Sequence, residues 1–125
     1  MIDYGIVVRN MRLHLTAYIR ENGLKSLVIG ESGGIDSAVT TVLAKPVCDG
    51  LNIPLIGRSI TIETNKPDEE LRARLIGEQF CSDFREVNLT LLYHAYLDAI
   101  GDDHEVTGDR ACKIRLGNIK VCMLS

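Results

Sequence analysis

The chain has 125 residues, 46% of them hydrophobic and 25% charged, which fits one folded domain and is too balanced for disorder. Seventeen acids against 14 bases give a net charge of −3, which argues against a surface that holds nucleic acid mainly by positive charge. No apolar run nears the ~20 residues of a membrane span, and residues 1–10 lack the pattern of a secretory signal, so the expectation is a cytoplasmic protein without membrane or nucleic-acid partners.

The first segment reads as a helix. Val8, Met11, Leu15, Tyr18 and Ile19 share a face, Asp3 is placed to cap the start, and Asn22-Gly23 marks the stop. Residues 26–30, Ser-Leu-Val-Ile-Gly, form a short unbroken apolar run of the kind found in parallel strands buried on both faces. After Glu31-Ser32-Gly33-Gly34, the residues Ile35, Ala38, Val39, Val42 and Leu43 recur at helical spacing, and Pro46 is expected to end or bend that helix. Residues 53–60 give a second apolar run, with Pro54 suited to its first positions. Pro67-Asp68-Glu69-Glu70 is a helix start, since proline fixes φ and acids favour the positive end of the dipole; Leu71, Leu75, Ile76 and Phe80 are its expected buried face. Residues 85–89 read as a third, weaker strand, followed by helical spacing from Leu89 to Ile100. Residues 101–109 read as a polar loop and residues 110–116 as the start of a further helix. The order α-β-α-β-α-β-α implies right-handed crossovers, a parallel sheet and a three-layer α/β sandwich, with ligands at the carboxyl ends of the strands.

The cysteines at 48, 81, 112 and 122 form no C-x-x-C pair, and the histidines at 14, 94 and 104 stand at no ligand spacing. Buried thiols in a reducing compartment are the expectation, rather than a disulfide framework or a zinc site. The chemistry concentrates instead in Gly30-Glu31-Ser32-Gly33-Gly34-Ile35-Asp36-Ser37, between the first strand and the second helix. Paired glycines let the chain turn sharply and leave amides bare; the following helix aims its free N–H groups and positive dipole end at the same spot. Ser32 and Ser37 can add hydroxyl donors. Asp36 repels phosphate directly but can hold a magnesium ion that bridges to it. The bland alternative is a tight strand-to-helix turn with a serine cap. Neither the Walker loop nor the dinucleotide fingerprint fits these residues.

Ser32-Gly33-Gly34-Ile35-Asp36-Ser37 resembles the pyrophosphate loop of the N-type ATP pyrophosphatases. Residues 44–48, 54–60, 68–69, 80–89 and 116–120 are similar, in order and separation, to landmarks of the NAD synthetases within that superfamily. Gly117-Asn118-Ile119-Lys120 carries the distinction. The resemblance implies an adenine nucleotide alpha hydrolase-like, Rossmann-like fold. It implies conversion of deamido-NAD to NAD through an acyl-adenylate, with release of pyrophosphate and AMP. By resemblance ATP would be held by Gly30, Glu31, Ser32, Gly33, Gly34, Ile35, Asp36, Ser37 and Arg58, with Mg2+ on Asp36 and no protein nucleophile. Arg58 also reads as an arginine paired with a nearby acid. The remaining implied partners are deamido-NAD, ammonia (free or derived from glutamine) and a second copy in a homodimer.

Two departures stand out. Glu31 occupies a position that is usually apolar in the family, so it is expected to point away from the phosphates or to pair with Arg58. After Lys120 the family continues Ala-Arg-x-Arg, whereas this chain has Val121-Cys122-Met123-Leu124-Ser125, with Cys122 at the place of the first arginine. Residues 1–125 therefore read as the N-terminal part of a single domain, truncated after about three strands. The family's strand order, 3-2-1-4-5, would leave the first strand with an open apolar edge. Marginal stability and incomplete catalysis are the expectations. The alternatives are a non-catalytic ATP-binding module, another ATP pyrophosphatase such as a tRNA thiolase, and a plain α/β structural domain.

Overall fold

The computed structural model describes residues 1–62 and 66–100. The readings that fall on residues 63–65 and 101–125, including Cys112, Cys122, His104 and Gly117-Asn118-Ile119-Lys120, lie outside the described residues. Helix α1 (Tyr4–Glu21) starts as its sequence demands: the Asp3 carboxylate accepts from the N–H of Gly5 at 2.9 Å and of Ile6 at 3.3 Å. Asn22 closes it and Gly23 turns away at φ +60°. The chain then alternates: β1 (Leu27–Gly30), α2 (Ile35–Leu51), β2 (Leu55–Thr61), α3 (Pro67–Phe80), β3 (Asp83–Asn88) and α4 (Thr90–Ile100). The strands pair in parallel in the order β1-β2-β3. Leu27 lies against Leu55, Gly30 against Arg58, and Ile56 against Asp83. Among the described residues β1 is an edge strand, and Val28 on it is 42% exposed.

Strand alternation divides the sheet into two faces. Leu27, Ile29, Leu55, Gly57 and Phe84 fall on one. Ala44 and Cys48 of α2 pack there, forming a cluster with Leu55, Leu27 and Ile29. Helix α3 covers the same face through its smallest residues. Ala73 and Gly77 are buried, and a Cβ at Gly77 would lie 2.1 Å from the Phe84 ring. That close approach corrects the expected buried face of α3: Leu71 and Leu75 are exposed. A helix that comes this near a phenylalanine on the sheet has no room for leucine at the contact. The same correction holds in α2, where Thr41, Ala44, Val47 and Cys48 are buried while Ile35, Val39 and Val42 are exposed. In α1, Ile19 is buried but Met11 and Tyr18 are exposed, because the helix packs on α2 along a narrow seam.

Pro46 was expected to end or bend α2, yet the helix continues to Leu51. Proline supplies no N–H to the carbonyl four residues back, which orphans the Val42 oxygen and crowds the next one. Arg12 of α1 fills the gap. Its guanidinium donates to the Leu43 carbonyl at 3.1 Å and to the Val42 carbonyl at 3.3 Å. The interruption inside α2 thus becomes the attachment point for α1.

Candidate functional site

The loop of residues 30–37 leaves the carboxyl end of β1, and the sheet is parallel, so it stands on the rim where α/β sheets bind ligands. The Glu31 N–H donates to the Arg58 carbonyl at 2.8 Å, which extends the ladder by one bond before the chain turns. Gly33 makes the turn at φ +82°, and a Cβ there would lie 2.1 Å from the Glu69 carbonyl oxygen of α3. Only glycine meets both conditions. Gly34 has an ordinary φ of −87° and stands at the N-cap of α2, without any side-chain capping bond.

The turn satisfies some of the loop amides and leaves others open. The Ser32 N–H donates to the Ser37 hydroxyl at 3.3 Å, and the Gly34 N–H to the Ser32 hydroxyl at 3.2 Å. The two hydroxyl oxygens are 3.1 Å apart. The N–H groups of Gly33, Ile35, Asp36 and Ser37 have no partner among the described residues. Four unpartnered amides, that of Gly33 in a buried residue, and two hydroxyls therefore belong to one turn at the positive end of a 17-residue helix. Such a concavity is suited to anions. The Asp36 carboxylate is exposed in the first turn. Among the described residues no three His, Cys, Asp or Glu side chains gather as a metal cluster.

Glu31 and Arg58 do not meet, which corrects the expected pairing. Alternation explains it: Gly30 and Arg58 are register partners, so Glu31 falls on the opposite face of the sheet from the Arg58 side chain. Glu31 is buried on the helix-covered face. Its carboxyl is hydrogen-bonded to the Thr41 hydroxyl. Burial pushes the Glu31 carboxyl above its ordinary range, and the nearby Thr41 and Ser37 hydroxyls pull it part of the way back. Arg58 instead donates to the Asp83 carboxylate at 3.0 Å and to the Asp83 carbonyl at 3.2 Å. Its guanidinium holds the Asp83 carboxyl below the usual range. This is the pairing with a nearby acid that its sequence also allowed.

Two residues escaped the sequence reading. Thr41 takes Glu31, as above. Arg72 of α3 donates through Nε to the Gly33 carbonyl at 2.9 Å while its Nη1 engages Asp68 at 3.1 Å, which lowers the Asp68 carboxyl. The i,i+4 spacing of Asp68 and Arg72 was legible; a contact across 39 positions was not. A cavity of about 390 Å³ lies under the loop, walled by Gly34, Ile35, Ala38, Arg72 and Ile76 with Glu31 in its lining. A larger groove of about 780 Å³ runs between α1 and α2, remote from the loop. The Cys81 thiol is pushed up to about 11, first by burial and then by the Glu31 charge, so it stays protonated and a poor nucleophile.

A family model described as NAD synthase matches residues 7–123. Among curated relatives, the NH(3)-dependent NAD(+) synthetase of Trichlorobacter lovleyi is 33% identical over 121 residues, which cover 93% of this chain and 44% of that protein. The glutamine-dependent NAD(+) synthetase of Thermotoga maritima is 30% identical over 89 residues, 69% of this chain and 15% of that protein. Among solved structures, the NH3-dependent NAD synthetase of Campylobacter jejuni in complex with the nitrate ion aligns with a TM-score of 0.83 at 15% identity, over 99% of this chain and 51% of that one. The chain thus spans about half or less of the length of the relatives it matches. Three parallel strands with their helices, an open glycine turn at the carboxyl rim and a sequence match across most of the chain agree: this chain belongs to the NAD synthase family.

Proposed function

We propose that this chain carries the nucleotide-pyrophosphate site of an ATP-dependent amide ligase that converts deamido-NAD to NAD. The observation that carries the reading is the set of four unpartnered amides on the rim beside two serine hydroxyls. In this reaction the nicotinate carboxylate oxygen bonds to the α-phosphorus of ATP, and the bond from that phosphorus to pyrophosphate breaks. Ammonia then bonds to the acyl carbon, AMP leaves, and the amine gives up its proton. Charge builds on phosphate oxygens in the first step, so preorganised donors are the contribution required of the protein. The N–H groups of Gly33, Ile35, Asp36 and Ser37 and the hydroxyls of Ser32 and Ser37 would meet the departing pyrophosphate.

One exposed carboxylate together with phosphate oxygens and water is a donor set that Mg2+ accepts, and Asp36 supplies the carboxylate. The ion would neutralise charge on the leaving group. Arg58 would have to release Asp83 to reach a nucleotide, so its family role would require a side-chain rotation. Ammonia-dependent and glutamine-dependent relatives both match, which supports ammonia as the nitrogen donor by either supply.

Calorimetric titration of the chain with ATP tests the reading. Saturable binding that strengthens with magnesium is expected, together with loss of the magnesium effect in Asp36→Ala. No binding of ATP or pyrophosphate would overturn it. ATP bound with no pyrophosphate release, in the presence of deamido-NAD and ammonia, would leave a binding module in place of the ligase.

A further inference from the structure

Glu31 is 3% exposed and is the buried carboxyl among the described residues. It lies one residue past β1, beneath a loop whose other features favour an anion. No cation is its hydrogen-bond partner; the carboxyl meets the hydroxyl of Thr41. A buried carboxylate without a counter-ion is costly, and more so next to phosphate.

The hydroxyl protons can be counted. Thr41 has one proton and two acceptors within reach, the Ser37 carbonyl at 2.8 Å and the Glu31 carboxyl. Donation to the carbonyl one turn back is the common arrangement for a helical threonine. While Thr41 donates to that carbonyl, the contact with Glu31 is made by a proton on Glu31; with Glu31 ionised, Thr41 donates to the carboxylate instead. Ser37 is committed in a similar way, since its hydroxyl donates to the Gly34 carbonyl at 3.3 Å while accepting from the Ser32 N–H. An ionised Glu31 would draw the Thr41 proton to itself and place a negative charge beneath the cradle.

The surrounding charges leave this balance to Glu31. From β2, the Arg58 guanidinium is on the other face of the sheet and held by Asp83. From α3, Arg72 lines the same cavity but is bound to the Gly33 carbonyl and Asp68, and Glu69 presents its backbone. From α2, Asp36 is exposed and Lys45 is paired with Asp49. The thiols of Cys48 and Cys81 beneath are themselves raised, so they stay neutral.

We propose that Glu31 is a proton gate on the loop: with the carboxyl neutral the cradle accepts a phosphate anion, and with it ionised the cradle rejects one. The proposal deepens the ligase reading and rests on it.

The test uses inorganic pyrophosphate as the probe and the whole chain, wild type and Glu31→Gln, from about pH 5 to about pH 9. Taking the ratio of the two dissociation constants at each pH cancels the titration of pyrophosphate itself. The ratio should be near unity at the acid end, and wild type should weaken by roughly tenfold or more relative to Glu31→Gln toward the alkaline end. A second measurement needs only the wild type. By reciprocal linkage, saturating pyrophosphate should raise the titration midpoint of the Glu31 side-chain carbon, followed by NMR. A ratio independent of pH, or a midpoint unmoved by pyrophosphate, overturns the gate and leaves the ligase reading standing. Absence of pyrophosphate binding in both proteins at every pH overturns both.

Discussion

Helix α2 has two places where backbone groups lack their helical partners, and the protein treats them oppositely. At Pro46 the Val42 carbonyl, left without its helical donor, is met from another helix by Arg12, which also reaches the Leu43 carbonyl. At the N-terminus the amides of Ile35, Asp36 and Ser37 are left open, and even the N-cap is a glycine without a capping side chain. The first gap lies at a helix–helix seam, where an unmet carbonyl costs about 1–3 kcal/mol. The second lies on the sheet rim, where water or a ligand can satisfy the donors. The contrast separates backbone defects that the fold repairs from those available for binding.

Four substitutions press on that contrast. The largest effect should come from Gly33→Ala, which combines a left-handed φ with an overlap on the Glu69 carbonyl. It should destabilise the chain by about 3 kcal/mol and abolish anion binding, measured by urea unfolding and pyrophosphate titration. Arg12→Ala should cost about 1–3 kcal/mol without changing anion affinity, and Pro46→Ala should recover most of that loss by restoring the helical N–H. Undiminished stability in Arg12→Ala would mean that water repairs the seam as well. Arg72→Ala should weaken pyrophosphate binding roughly threefold to tenfold with little effect on stability, since it releases the Gly33 carbonyl without emptying the core.

The smallest effect is a pH slope. Glu31 binds its proton more tightly in the folded chain than in the unfolded one. The stability this contributes is complete below the unfolded value and is lost as pH rises through the folded one. Wild type should therefore lose stability relative to Glu31→Gln across that interval, read as a divergence of the two urea midpoints. Parallel stability curves for the two proteins would show that Glu31 ionises as if exposed.

Much of this architecture was legible before any coordinates. Asp3, Asn22-Gly23 and Pro67 mark their helix boundaries through local physics that needs no distant partner. The apolar run around Val28 and the glycine turn after it place the loop. What escaped was which side of each helix faces inward. Ile35, Val39 and Val42 make a good apolar stripe, yet the sheet takes Thr41, Ala44 and Cys48. For α2 the choice depends on the cluster of Leu27, Ile29 and Leu55 on the sheet, and for α3 on the Phe84 ring against Gly77, none of which shows in the periodicity of a single helix. Pro46 does not end the helix, and the Arg12 that meets the carbonyl it strands lies far away in sequence. Glu31 and Arg58 were joined by charge and separated by strand alternation. The loop itself was readable because its chemistry is written within eight consecutive residues.

The crowding of Gly33 against the Glu69 carbonyl bears on heredity as well as shape. Any coding change that replaces this glycine introduces a carbon with nowhere to go, since the obstacle is main chain and cannot rotate aside. At neighbouring Gly34 the nearest obstacle to such a carbon is the rotatable Ser32 hydroxyl, 3.3 Å away. Substitution would therefore meet a wall at one codon and a door at the next.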